Sequence, residues 1–442
     1  MTRLQLATRD TFRSLGTRNY RLYFGAQAIS VSGTWMQQIA LAWLVLQLTG
    51  SGTMLGLATA LQFVPILLGG PWAGVLADRV DKRRLLVLTQ VLAGILAVAL
   101  GVLVATDLVR LWMVLVMSFA FGCVVAVDKP ARQTFVLEMT GPDDLTNAIT
   151  LNTVVVNAAR VIGPAIGGFL IAGVGIALCF LLNGLSYVAM LVALSLMRPD
   201  ELFRGRRAAR SPGQLREGLR YVWRTPELRI PLLLMVVVGC LAYEFQVSLP
   251  LLARYTYGGD ATTYGYLSAA MGIGAVVGGL ATARRTEASA RSLVRSAFAF
   301  GAVLAGVALA PSLPLAMVAL LLTGVASIRF VATANAALQL RAAPEMRGRV
   351  MALWTVAFLG TTPVGGPIVG WVGETVGPRW ALGLGSLATL IAAAAAARAL
   401  GRLRVEPAQP VSVDADAAVT LTAASQATPA VVAARLPARS AR

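Results

Sequence analysis

Twelve apolar runs, each long enough to cross a bilayer, constrain this chain more than any other feature. About 20 apolar residues span the hydrocarbon core as a helix, because in lipid every backbone polar group must be satisfied within the segment itself. Marked off by charges, prolines and glycines, the first six runs are Leu22 to Leu48, Thr53 to Ala77, Leu85 to Ala105, Leu111 to Val127, Leu145 to Ala172 and Ile176 to Met197. After a polar stretch come Ile230 to Leu252, Thr263 to Ala283, Leu293 to Ala310, Leu315 to Leu340, Val350 to Val372 and Trp380 to Leu400. The predicted layout is an amino-terminal arm over 1–21, six spans over 22–197, a linker over 198–229, six spans over 230–400 and a disordered tail over 401–442. A mean hydropathy of +0.73 with 13% charged residues agrees, since soluble domains of this length are far more polar. The first run is too long, and too interrupted by Gln27, Gln37 and Gln38, for a secretory signal, so it reads as a retained helix.

Orientation follows from the basic residues. With a cytoplasmic amino terminus, 33 of the 38 Lys and Arg fall on one side. Arg110, Arg254 and Arg379 fall on the other, while Arg160 and Arg329 lie inside spans. Such an asymmetry is the positive-inside pattern, and it puts both termini in the cytoplasm. It also accounts for the net charge of +18, which in a soluble chain would suggest nucleic acid. No nucleic-acid partner is expected. The linker segment "RGRRAAR" reads as a solvated loop or as a contact for anionic headgroups.

The chemistry on offer is narrow. There is no histidine, and Cys123, Cys179 and Cys240 sit in apolar runs without ligand spacing, so no metal, cofactor or disulfide is expected. Any proton chemistry falls to Asp, Glu or Tyr. No catalytic set emerges, which disfavours an enzyme, and no phosphate-binding loop speaks for direct drive by ATP.

An internal repeat appears at a spacing of about 203 residues: "GPAIGG" begins at Gly163 in the fifth span and "GPIVGW" at Gly366 in the eleventh. Two parallel six-helix halves are implied, related by an axis normal to the membrane. The loop after the second span, "AGVLADRVDKRR", concentrates charge between two apolar runs.

At these residues the chain resembles the major facilitator superfamily over about residues 10 to 400. Gly74, Asp78, Arg79, Lys82 and Arg83 fill that superfamily's loop signature, with Asp81 where a second Gly is expected. "AVDKPARQTFVLEM", "LTNAITLNTVVVNAARVIGPAIGG", "CFLLNGLSY" and "LQLRAAPEMRGRVMALW" are similar to the branch of enterobactin exporters and drug:proton antiporters. The resemblance implies an all-α membrane protein with twelve transmembrane helices in two six-helix pseudo-repeats, the major facilitator fold. It also implies that Asp78 faces the amino terminus of the eleventh span as a cytoplasmic gate latch, worth about 0.3–2 kcal/mol from the helix dipole. A solvated hairpin is the plainer alternative. Gly163, Pro164, Gly167 and Gly168 resemble the end of the antiporter glycine motif, and they supply close helix packing in any case.

Charges inside the bilayer are the candidates for function. Asn152, Asn157 and Arg160 share a sector of about 140° on the fifth span, a polar face suited to a cavity wall. Arg329, Thr333 and Gln339 occupy one side of the tenth span, and Asn183 and Gln62 add donors. Glu244 is the expected coupling acid, alternately protonated and paired with an arginine such as Arg254. Asp128 is the runner-up, and a fixed ion pair joining the halves is the alternative for Glu244. Trp112, Trp371, Trp380, Trp72 and Trp223 fall at span ends as interfacial anchors.

These observations, with the resemblance, point to a monomeric secondary transporter of a bacterial inner membrane. Its expected cargo is a small organic molecule (a drug, siderophore or secondary metabolite), exported by alternating access against protons, with membrane lipid as its surroundings. Arginine outnumbers lysine 36 to 2, which suggests a GC-rich genome. Proton-coupled uptake and a non-transporting receptor on the same fold are the competing readings.

Overall fold

A computed structural model describes residues 12–203, 214–283 and 289–402, apart from the side chains of 71, 74, 75, 77, 78, 214, 215 and 283. The "RGRRAAR" segment, residues 284–288 and the tail beyond 402 lie outside the described residues, as do the side chain of Asp78 and the surroundings of Gly74. The chain is all helix, with no strand among the described residues. In order, the helices are α1 (Arg18–Thr49), α2 (Gly52–Arg79), α3 (Lys82–Ala105), α4 (111–140), α5 (142–173), α6 (Ile176–Leu196) and α7 (Gln214–Arg224). Then follow α8 (Pro226–Thr256), α9 (Ala261–Ala283), α10 (Ala290–Leu309), α11 (Leu313–Arg341), α12 (Arg347–Thr375) and α13 (Pro378–Arg402). Eleven helical stretches are long and apolar enough to span a membrane. One of them, Leu111–Gly173, breaks at Gly141 (φ 70°, ψ 176°) into α4 and α5, so the described crossings number twelve.

The turns are written in the sequence. Gly50 (φ 65°) ends α1 in the left-handed region, and the Ser51 hydroxyl accepts from the Met54 amide to cap α2. Asp81 caps α3 in the same way, accepting from the Arg84 amide at 2.9 Å, and Ser289 caps α10. These short capped connections make successive helices antiparallel neighbours.

Three boundaries differ from the sequence expectation. The fourth helix does not stop at Val127 but runs on to 140, so Asp128, Lys129 and Arg132 stand on a helix rather than in a loop. Those charges are tolerated there because Asp128 and Arg132 pair within the helix, and the break is delayed to Gly141, whose bare backbone packs under the Phe203 ring. The seventh crossing is interrupted between Leu241 and Phe245, where Glu244 (φ −82°, ψ 46°) opens a second helical piece, and it ends in a π-turn over Leu252–Thr256. The eleventh crossing breaks at Gly360 and Thr361.

Helices approach closely where a side chain is missing. A Cβ on Gly163 would lie 2.7 Å from the Ser32 carbonyl oxygen, joining α5 to α1; one on Gly122 would lie 2.9 Å from the Gln62 carbonyl carbon, joining α4 to α2. The outward surface is apolar, with Leu68, Leu185, Leu309, Leu315 and Ile391 exposed, as lipid contact requires. Trp112, Trp371 and Trp380 are exposed at one end, Trp72 and Trp223 at the other.

Candidate functional site

The polar groups that join the first six crossings to the last six gather at one end of the bundle, the end carrying Ser51. There the Glu374 carboxylate, in the last turn of α12, reaches the first turn of α2. Its Oε2 accepts from Ser51 Oγ at 2.6 Å, Thr53 Oγ1 at 2.6 Å and the Thr53 amide at 2.9 Å. An acid at a helix amino terminus meets unpaired N–H groups and the positive end of the dipole. Nearby, Arg254 Nη1 donates to the Leu46 carbonyl at 2.7 Å, Tyr255 Oη to that of Gly50 at 2.6 Å and Thr262 Oγ1 to that of Gly168 at 3.4 Å.

Beneath these bonds the backbones touch. Gly52 and Gly56 of α2 face Gly370 and Gly366 of α12, and a Cβ on Gly56 would lie 2.8 Å from the Pro367 Cα. Two small residues four apart on each helix allow this approach. On the opposite flank Gly168 of α5 meets Gly265 of α9, while a Cβ on Gly265 would lie 2.9 Å from the Pro164 carbonyl. Gly163 and Gly167 point to α1 instead, against Trp35 and Met36. Thus the glycine motif divides between two partners.

The interior holds charges of unequal satisfaction. Arg160 stacks over the Trp35 ring, with its Cζ 5.0 Å from the centroid, while its Nε is buried without a hydrogen-bond partner. Lys129 of α4 and Tyr243 of α8 lie within its electrostatic reach. Asn152 Oδ1 and the Tyr243 hydroxyl are likewise buried and unpartnered, and Asn157 is half-buried on the same helix as Arg160. Glu244 is 4% exposed, and its Oε1 has no hydrogen-bond partner. Thr362 neighbours that carboxyl, and the missing side chain of Gly366 leaves it room, a Cβ there standing 3.7 Å from Oε2. The arginine anticipated for Glu244 is engaged elsewhere, since Arg254 donates to Leu46.

Other predicted residues have their partners within the first six crossings. Asn183 is fully buried; its Nδ2 donates to Gln37 at 2.7 Å and its Oδ1 accepts from Ser186 at 2.9 Å. Asp128 accepts from Thr89 and Gln90, both at 2.8 Å, and pairs with Arg132 at 2.8 Å, which also donates to Gln27. Of the loop signature, Lys82 pairs with Glu138 of α4 at 2.5 Å, and Arg83 donates to the carbonyls of Leu194 at 2.7 Å and Ser195 at 3.1 Å. Gly74, Asp78 and Arg79 form the last turns of α2. Arg329 is not brought to Arg160 or Glu244; it opens into a separate groove beside α10.

Glu374, Lys129 and Tyr243 were not singled out by sequence reasoning. Glu374 lies two residues past the expected end of its span, and only the i to i+4 glycines on both α2 and α12 signal that their ends meet. No cluster of potential metal ligands occurs among the described residues.

The sequence profile described as "Transmembrane secretion effector" matches residues 10–432. The multidrug efflux pump Tap of Mycolicibacterium fortuitum is 25% identical over 357 residues, 78% of this chain and 87% of that protein. The enterobactin exporter EntS of Shigella flexneri is 25% identical over 367 residues, 81% of this chain and 86% of its own. The staphyloferrin A transporter of Staphylococcus aureus is 30% identical over 178 residues, so the match spans 40% of this chain and 45% of that transporter. In structure, a bacterial homolog of the human lysosomal transporter Spinster, in an inward-facing and unoccupied conformation, superimposes with a TM-score of 0.70 at 17% identity, covering 88% of this chain and 99% of that one. That likeness establishes the shared fold.

Proposed function

Since the chain belongs to the transmembrane secretion effector family of major facilitator transporters, we propose that it exports a small organic molecule by alternating access, in antiport with protons. The observation that carries this reading is a closed Ser51 end above a buried Glu244 whose Oε1 has no hydrogen-bond partner. The six-helix halves over 22–197 and 230–400 rock about the α2–α12 and α5–α9 contacts, in a bacterial inner membrane with both termini cytoplasmic. In that frame the Ser51 end is external and shut, and the interior opens to the cytoplasm.

Cargo enters from the cytoplasm toward Asn152, Asn157 and Arg160, where the unpartnered Asn152 Oδ1 and Arg160 Nε are free to meet it. Glu244 binds a proton when the external side opens and releases it when the cytoplasmic side opens. The two states surround its carboxyl differently, which is what lets one take up the proton and the other release it. Gly74, Asp78, Arg79, Lys82 and Arg83 form the matching cytoplasmic latch, of which Lys82 and Arg83 are held by the first half. The names of the relatives favour a drug or a siderophore as cargo.

The reading is tested by adding candidate drugs and iron-free siderophores to everted vesicles that carry a pH gradient. A transported cargo releases lumenal protons in vesicles holding the protein and not in vesicles lacking it. Transport with no proton movement would leave the exporter without its proposed drive.

A further inference from the structure

Arg295 of α10 and Arg329 of α11 line one groove of about 260 Å³ with Ser296, Ala299 and Ala326. Both arginines are exposed, and neither guanidinium meets an acid or a hydrogen-bond acceptor among the described residues. Each continues a stripe that faces the lipid. On α11, Leu315, Leu322 and Arg329 recur every seven residues, and Leu315, Val318 and Leu322 are exposed. On α10, Arg291, Arg295, Ala302 and Leu309 are exposed along one side.

The two antiparallel helices bring both cations to the same end of the bundle, opposite Ser51. Arg295 stands five residues into α10, roughly 8 Å of helical rise, and Arg329 twelve residues before Arg341 at the end of α11, roughly 18 Å. A guanidinium at that depth in hydrocarbon needs a partner, and long side chains reach along the helix toward the interface to find one. Among the described residues no acid supplies it, and the bilayer is the remaining source.

We propose that this groove binds the phosphodiester headgroup of an anionic phospholipid from the leaflet opposite the Ser51 end. Two planar forks facing one small concavity match the oxygens of a phosphate, while the exposed apolar residues beside them continue along an acyl chain. The Ser296 hydroxyl is engaged by the Leu293 carbonyl at 2.8 Å, leaving the arginines to hold the anion.

The test uses the full chain in phosphatidylcholine nanodiscs doped with phosphatidylglycerol, reading lipid retention by native mass spectrometry. Arg295→Gln with Arg329→Gln is expected to weaken phosphatidylglycerol retention roughly thirtyfold, as removal of two surface cations would. Arg291→Gln, one turn away on α10, is expected to leave it unchanged. If the double variant does not fold, Arg329→Lys, which keeps the charge and loses the fork, is expected to weaken retention. Equal loss in Arg291→Gln, unchanged retention in the groove variants, or full displacement of the lipid by millimolar inorganic phosphate would overturn the assignment.

Discussion

Glu374 is the residue whose replacement should move the whole molecule. In the closed Ser51 end its Oε2 accepts three hydrogen bonds at the start of α2, two from hydroxyls and one from a backbone amide. Glu374→Gln keeps the size and removes the charge. A carboxylate at a helix terminus contributes about 0.3–1 kcal/mol when exposed, and Glu374 is exposed, so the loss is set near 1 kcal/mol. That shifts the ratio of open to closed molecules about fivefold. Glu374→Ala also leaves Ser51 and Thr53 without their acceptor and should shift it further. Spin labels at Leu48 and Val376, both exposed at this end, report the separation by pulsed electron resonance in a variant freed of native cysteines. A longer-distance population should grow from wild type to Gln to Ala. Combining Glu374→Gln with Thr53→Val should add little, because the two share one interaction. Unchanged distance distributions in both Glu374 variants would refute the idea that this contact holds the end shut.

Glu244→Gln should abolish cargo-driven proton release while leaving cargo binding measurable by calorimetry, and retained coupling would remove Glu244 from the proton route. Arg160→Gln should raise the KM for export about tenfold, and Arg160→Lys should recover it only in part, since the stacking on Trp35 needs a planar group; transport assays on both variants decide it. Gly365→Ala should cost about 1–3 kcal/mol, read as a lower Tm in detergent, because its Cβ would sit 2.7 Å from the Cys240 carbonyl carbon.

The spans were legible because apolar runs of membrane length have one main use, and the caps at Ser51 and Asp81 stand where the runs pause. The end of α4 was not, because Asp128 and Arg132 look like the start of a loop until their pairing with each other, and with Thr89, Gln90 and Gln27 on other helices, is seen. A sequence window cannot weigh a partner 105 residues away. The same distance effect hid Glu374, which lies 321 residues from Thr53. Asn183 looked like a free donor on an apolar helix, whereas Gly33 lets α1 approach closely enough for Gln37 to take its amide. Glu244 and Arg160 stood out as costly intramembrane charges, but their separation from Arg329 depends on which face of α11 turns outward, a matter of packing.

Proton-driven export is tested most directly by the direction and drive of cargo movement in everted membrane vesicles. With respiration supplying an acidic lumen, the account predicts that cargo accumulates inside, that nigericin releases it and that Glu244→Gln vesicles fail to load. Cargo moving out of the lumen down the same gradient, or loading that persists after nigericin, would contradict it.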